Sequence, residues 1–214
     1  MRKSGLALML NMSRPDATSS DTAATAALSL IRELSARHRQ AMIGHLLALS
    51  AEDRYLRFGY AATDEHIIAF VETLSFEHTT VFGVFNRSSR LIAMAQLSYT
   101  LDRNCVRCAE FGVSVDLESR GRALGQALFM RAATHARNQG IDRFLVHALT
   151  QNRPMLHIAR KTGADMVMNR DESQAMLLLP KADLESQVAE AWQDGVAKTG
   201  HRLRRLWRRF TQAS

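Results

Sequence analysis

Cysteine is scarce in this chain, and long apolar runs are missing altogether. Only two of the 214 residues are cysteine, Cys105 and Cys108. Two thiolates do not complete a tetrahedral zinc set, and no further Cys or His pair stands nearby to supply the rest. The pair reads as two small residues on a strand hairpin, so no metal is expected. No apolar stretch approaches the roughly 18–20 residues of a spanning helix. The Leu6–Leu10 run is too short and lacks the small-residue cleavage pattern of a secretory leader, so a cytoplasmic protein is expected. No Gly-Lys-Ser/Thr follows a glycine turn, which excludes a Walker loop. No Gly-x-Gly-x-x-Gly with a following acid is present, which excludes a dinucleotide fingerprint.

Acidic residues are absent from residues 195–214, which carry Lys198, Arg202, Arg204, Arg205, Arg208 and Arg209. Those six account for all but one unit of the formal charge of +7. The remainder of the chain is therefore nearly neutral, and its basic isoelectric point is poor evidence for nucleic-acid binding by the domain itself. A hydrophobic share of 46% with 23% charged residues suits a globular domain that buries a core.

Three segments follow from pattern. Residues 1–26 lack a sustained apolar period and read as a mobile N-terminal segment. Residues 27–180 alternate between the two periods and form the domain. Residues 181–214 read as a helical basic tail. Within the domain, Leu28–Leu34 reads as a strand and Ala36–Leu49 as a helix with Met42, Leu46 and Leu49 at helical spacing. Thr63, followed by Asp64 and Glu65, is an N-cap for a helix through Leu74. Val81–Phe85, Leu91–Tyr99 and Cys105–Val115 read as strands. Arg122–Gln139 is a helix with Leu124, Leu128, Ala132 and Ala136 four apart, stopped by Gly140. Phe144–Leu149 is a strand, Pro154 opens a helix that Gly163 ends, and Met166–Asn169 with Ala175–Leu179 makes a final hairpin. The fold class is α/β, a mixed sheet with helices on both faces and one parallel strand-helix-strand crossover.

The stretch Ala109–Ala164 carries the chemistry. The alternating strand Phe111-Gly112-Val113-Ser114-Val115 runs through a short polar link into Arg120-Gly121-Arg122-Ala123-Leu124-Gly125, and the chain then turns helical. The first N–H groups of a helix have no intrahelical partner, and the macrodipole adds positive character there. Small residues let the backbone approach an anion, so this turn is a phosphate site.

The segment resembles the acetyl-CoA-binding core of the GNAT N-acetyltransferase superfamily. The family signature (Arg or Gln, two residues, Gly or Ala, one residue, Gly or Ala) falls on Arg120, Ala123 and Gly125. An Asn after the next strand matches Asn152, and a Lys-x-Gly end of the following helix matches Lys161-Thr162-Gly163. The resemblance runs over roughly residues 28–180 and implies acetyl transfer from acetyl-CoA to an amine by direct attack in a ternary complex. It implies a pyrophosphate held by Arg120, Gly121, Arg122, Ala123, Leu124, Gly125 and Gln126. Val113, Ser114 and Val115 would line the pantetheine arm in a gap between splayed strands, and a main-chain N–H near Val113 or Ser114 would meet the oxyanion. Asn152 would bond the cofactor, though an N-cap role serves it equally.

Glu110 is the candidate base, because family members that use a carboxylate carry one on this strand. Buried beside Phe111 it would have a raised pKa; a solvent-facing strand acid is the alternative. The family's Tyr seven residues after the Asn is replaced by Ala159. The general acid then falls back on His157, with His147 and Tyr99 behind it, or is absent. A thiolate leaves tolerably without one, since a free thiol has a pKa of ~8.5. Glu52–Gly59, with Arg54-Tyr55-Leu56-Arg57-Phe58 at its centre, resembles an Arg-x-x-Arg-Phe segment of some bacterial GNAT proteins, including protein acetyltransferases. The acceptor, a small-molecule amine or a protein lysine, stays open.

In the tail, Leu203, Leu206, Trp207 and Phe210 form one stripe of a basic amphipathic helix. It would dock on the domain or on a second subunit in a homodimer, or meet an anionic membrane or nucleic acid through residues 198–210. A non-enzymatic acyl-CoA sensor with this tail as effector is the rival to an enzyme.

Overall fold

The computed structural model describes residues 30–101, 106–161, 165–168 and 172–178, the last residue of the second range and the two final ranges as backbone only. Residues 1–29, Cys105, Gly163 and the whole 181–214 tail, with the expectations attached to them, lie outside the described residues. In chain order the elements are β1 (Ile31–Leu34), α1 (Arg39–Leu47), α2 (Ala51–Phe58), α3 (Asp64–Glu72), β2 (Thr79–Phe85), β3 (Leu91–Leu101) and β4 (Arg107–Val115). There follow α4 (Leu124–Asn138), β5 (Arg143–Leu149), α5 (Arg153–Lys161), β6 (Asp165–Met168) and β7 (Glu172–Leu178). Among the described residues no helix is long and apolar enough to cross a membrane.

The seven strands make one mixed sheet in the order β1-β2-β3-β4-β5-β7-β6. Every pair is antiparallel except β4–β5, the product of the crossover through α4. Leu91–Leu97 of β3 is buried at every position, as a central strand covered on both faces must be. On one face α4 and α5 pack on the sheet, where Phe129 of α4 meets Phe111 and Phe144, the three ring centroids lying 5.1–5.4 Å apart. Each such ring contributes roughly 2–3 kcal/mol by burial alone. The expected stripe of α4 is the buried one: Leu124, Leu128, Ala132 and Ala136 are at most 5% exposed. On the other face α1 and α3 bury Met42, Leu46, Ile67 and Val71 against β2 and β3.

Local chemistry sets the element ends. The Thr63 hydroxyl accepts the His66 N–H at 3.3 Å and caps α3, as its position before Asp64-Glu65 predicts. The single helix expected over Ala36–Leu49 is instead a 3₁₀ turn at Ala36–His38 followed by α1, and α2 comes as an unexpected helix after it. The break is made by Ser50, which accepts the Asp53 N–H at 3.1 Å and so starts a new helix. Helix α4 begins at Leu124 rather than Arg122, because Gly121 and Ala123 both take positive φ, +75° and +54°.

Candidate active site

The parallel pair β4–β5 runs only from Cys108↔Arg143 to Phe111↔Val146. Strand β4 goes on to Val115 and β5 to Leu149, so the two strands part company at Gly112. Two cavities flank the opening. The larger, of about 690 Å³, takes Val113, Ser114 and Val115 from β4. From the turn and α4 it takes Arg120, Gly121, Ala123, Leu124, Gly125 and Gln126, and from the start of α5 Asn152 and His157. The smaller, of about 480 Å³, contains Glu110, Gly112, Gln96, Ser98 and His147. Leu56 and Arg57 of α2 belong to both walls.

Eleven of the thirteen residues expected from sequence thus line one cavity. Glu110 lines the other. Arg122 is exposed and lines neither. At the turn, the first intrahelical bond is Ala127 N–H to the Ala123 carbonyl at 2.9 Å. The N–H groups of Leu124 and Gly125 therefore have no intrahelical partner, the arrangement that lets a helix N-terminus accept an anion. The Arg120 guanidinium already meets the Asp53 carboxylate at 2.5 Å, which ties the turn to α2. The Asn152 carbonyl oxygen accepts the Met155 N–H at 3.3 Å, so the residue caps α5 from within the cavity wall.

Glu110 is exposed, and the Phe111 ring is buried among the aromatics of the α4 core. The burial expected of the carboxylate is therefore not found, and the solvent-facing alternative holds. Ala159 is wholly buried in the same core, so its position in α5 points away from the opening. His157 is exposed on the cavity wall. Tyr99 donates to the Thr80 hydroxyl at 2.8 Å and lines neither cavity.

Three features were not read from sequence. Arg57 lies over Gly112 so closely that a Cβ there would come within 2.7 Å of its Nη1. Its Nη2 donates to Gln96 Oε1 at 3.1 Å, and burial pulls its pKa down to about 10 against the opposing pull of Glu110. The guanidinium is therefore still charged at neutral pH. The second feature is Asp53 on Arg120. The third is a buried chain: His45 Nε2 meets the Ser114 hydroxyl at 2.8 Å, and its Nδ1 meets Asp116 at 3.1 Å and the Leu91 carbonyl at 3.2 Å. Burial lowers the His45 pKa despite Asp116, so the ring is neutral, and it fastens the end of β4 to α1. The Arg-Phe segment Tyr55–Phe58 was the one signal in the sequence pointing near Arg57.

A mixed sheet opened between its two parallel strands beside a basic, small-residue turn is the architecture of an acyltransferase. The chain belongs to the Acetyltransferase (GNAT) family, whose sequence profile matches residues 30–164. Among solved structures it is similar to the GNAT domain of S. lividans PAT, with a TM-score of 0.59, 19% identity, and coverage of 70% of this chain and 89% of that one. It is also similar to a putative phosphinothricin N-acetyltransferase, with a TM-score of 0.57, 18% identity, and coverage of 71% and 98%. RimL, a ribosomal L7/L12 α-N-protein acetyltransferase in complex with coenzyme A, aligns with a TM-score of 0.54, 14% identity, and coverage of 70% and 93%. At these identities the likeness is one of fold. No curated protein matches the chain.

Proposed function

We propose that the protein transfers an acetyl group from acetyl-CoA to an amine by direct attack within one ternary complex. The observation that carries this reading is the pair of cavities meeting at the point where β4 and β5 separate. One cavity ends in an anion-binding turn and suits a phosphorylated thioester. The other holds a carboxylate and suits an amine. The turn at Gly121–Gly125 holds the pyrophosphate, and the pantetheine arm lies along Val113–Val115. A main-chain N–H near Val113 or Ser114 stabilises the oxyanion.

An alkyl ammonium must lose a proton before it attacks. Glu110 takes that proton, directly or through water. The nitrogen lone pair then forms the N–C bond, the C–S bond breaks, sulfur leaves with the electron pair as thiolate, and the nitrogen sheds its second proton to give the neutral amide. Ala159 stands where the family's Tyr would be, and the thiolate takes up one proton from solvent or from His157, so that one proton is released overall.

Two measurements test this. Saturation at 100 times the dissociation constant adds about 2.7 kcal/mol, a rise in Tm of roughly 5–10 °C for a domain of this size. No shift at millimolar acetyl-CoA or CoA would remove the cofactor site. Glu110→Gln is expected to lower kcat by about 100-fold with little change in acetyl-CoA affinity; an unchanged kcat and pH profile would remove Glu110 from the mechanism. Cofactor binding without turnover on any amine or peptide would favour the acyl-CoA sensor instead.

A further inference from the structure

Arg57 is a half-buried cation at the point where β4 and β5 separate, and one of its donors has no partner among the described residues. Its guanidinium packs face-on against Gly112, where an added Cβ would meet Nη1, Cζ and Nη2 at 2.7, 2.8 and 3.0 Å. Gln96 is held for it: the Gln96 amide donates to the Ser98 hydroxyl at 2.9 Å, which turns Oε1 toward Arg57 Nη2. The Nε donor is buried and has no hydrogen-bond partner. Glu110 acts on Arg57 through space, yet among the described residues no carboxylate makes ion-pair contact with it. The Phe58 and Phe70 rings face the guanidinium at 5.2 and 5.9 Å, but a cation that burial desolvates and that keeps one unpartnered donor is completed only by an anion.

We propose that Arg57 binds the carboxylate of the acceptor, and that the acceptor is a free α-amino acid with an apolar side chain. This rests on the acetyl-transfer reading above. Gly112 is the first β4 residue beyond the last β5 partner, so Arg57 sits where the thioester meets the amine. An anion reaching it must lie close to the attacking nitrogen. In an α-amino acid the carboxylate carbon is about 2.5 Å from the nitrogen, two bonds away. A lysine ε-amine within a protein carries no carboxylate at that distance. Glu110, two residues before Gly112 on the same face of β4, takes the ammonium end. A carboxylate and a guanidinium in one cavity complement a zwitterion, and Leu56, Phe58, Phe70 and Leu149 in the same wall accept an apolar side chain. The reaction leaves the carboxylate untouched. The amine gains the acetyl group, CoA leaves, and one proton passes through Glu110 to solvent.

The test compares L-phenylalanine with 2-phenylethylamine, and L-leucine with 3-methylbutylamine, using the full chain. The wild-type protein is expected to favour the amino acid of each pair by about 10- to 100-fold in kcat/KM. Arg57→Gln collapses that ratio toward one, and Arg57→Lys restores part of it. A wild-type ratio at or below one overturns the proposal without any variant. An undiminished ratio in Arg57→Gln, with a cooperative thermal transition showing that it folds, overturns it as well. Calorimetric binding of the same pairs to the protein with CoA separates the two levels of inference. Amino-acid binding that depends on Arg57, without turnover, keeps the anion site and removes the transfer reading. Turnover of the amines with no gain from the carboxylate does the reverse, and binding of neither compound removes the anion site.

Discussion

Replacing Gly112 by Ala displaces Arg57 without altering its chemistry, and the size of the displacement can be worked out. The new Cβ would stand 2.7 Å from Nη1, whereas ordinary contacts begin near 3.4 Å. The guanidinium must retreat by about 0.7 Å, which it can do because it ends a flexible side chain. The Gln96 bond, now 3.1 Å, then lengthens beyond useful range. Loss of one charge-assisted bond at this half-buried site costs about 1–2 kcal/mol, offset by about 0.5 kcal/mol from the reduced freedom of the unfolded chain. Tm is therefore expected to fall by only about 1–5 °C. Activity should suffer far more, since a misplacement approaching 1 Å at a reacting centre can cost up to 100-fold. Steady-state assays with an amino-acid acceptor should show kcat/KM reduced by about 10- to 100-fold. A variant whose Tm drops as expected while kcat/KM stays within about two-fold of wild type would refute the placement of Arg57 at the point of transfer.

Asp53→Asn removes a carboxylate from the wall of the larger cavity, the proposed cofactor site, and releases Arg120. With Arg120 45% exposed, the pair contributes under about 1 kcal/mol to stability. Acetyl-CoA binding by calorimetry should tighten a few-fold (about 0.5–1 kcal/mol), and weaker binding would show that Asp53 positions Arg120 rather than competing with phosphate. Ala123→Gly relieves a left-handed φ of +54°. It should stabilise by about 0.5–1 kcal/mol, a rise of roughly 1–4 °C in Tm, and a fall in Tm would mean that the turn tolerates alanine without strain. For His45, burial depresses the native pKa below 6.5, with Asp116 opposing and Arg57 assisting. The unfolded chain thus takes up a proton before the native state does, so stability is full above about pH 6.5 and declines as pH falls toward the depressed value. Denaturant titrations should show a shallower decline for His45→Gln between pH 6.5 and 5; identical slopes would assign the acid sensitivity to other groups.

The parts of the site that were legible are the ones built by neighbours in sequence. The turn after β4 announces itself because Gly121, Ala123 and Gly125 stand within five residues and the helix stripe of Leu124, Leu128, Ala132 and Ala136 follows at once. Thr63 announces α3 for the same reason, its cap being three residues from the N–H it accepts. The final hairpin and the parallel crossover follow from period and connection length. Ser50 hid the division of α1 from α2, because an apolar period running to Leu49 outweighed one capping residue.

Helix α2 escaped the reading on physical grounds. Glu52 and Asp53 in its first turn and Arg57 in its last are what any solvated helix carries to complement its dipole. Sequence alone assigns such residues to solvent. Their partners are distant: Asp53 reaches Arg120 across 67 positions, and Arg57 reaches Gln96 across 39. Nothing local encodes either contact. Yet the spacing within α2 is what makes both possible. Asp53 and Arg57 are four residues apart, hence on one face, and their side chains stand about 6 Å apart along the axis. Laid across β4, that face sets the Arg120–Gly125 turn at one end and Gly112 at the other. A helix whose charges look decorative therefore spans both cavities, and any shift of α2 along β4 alters the grip on Arg120 and the position of Arg57 together.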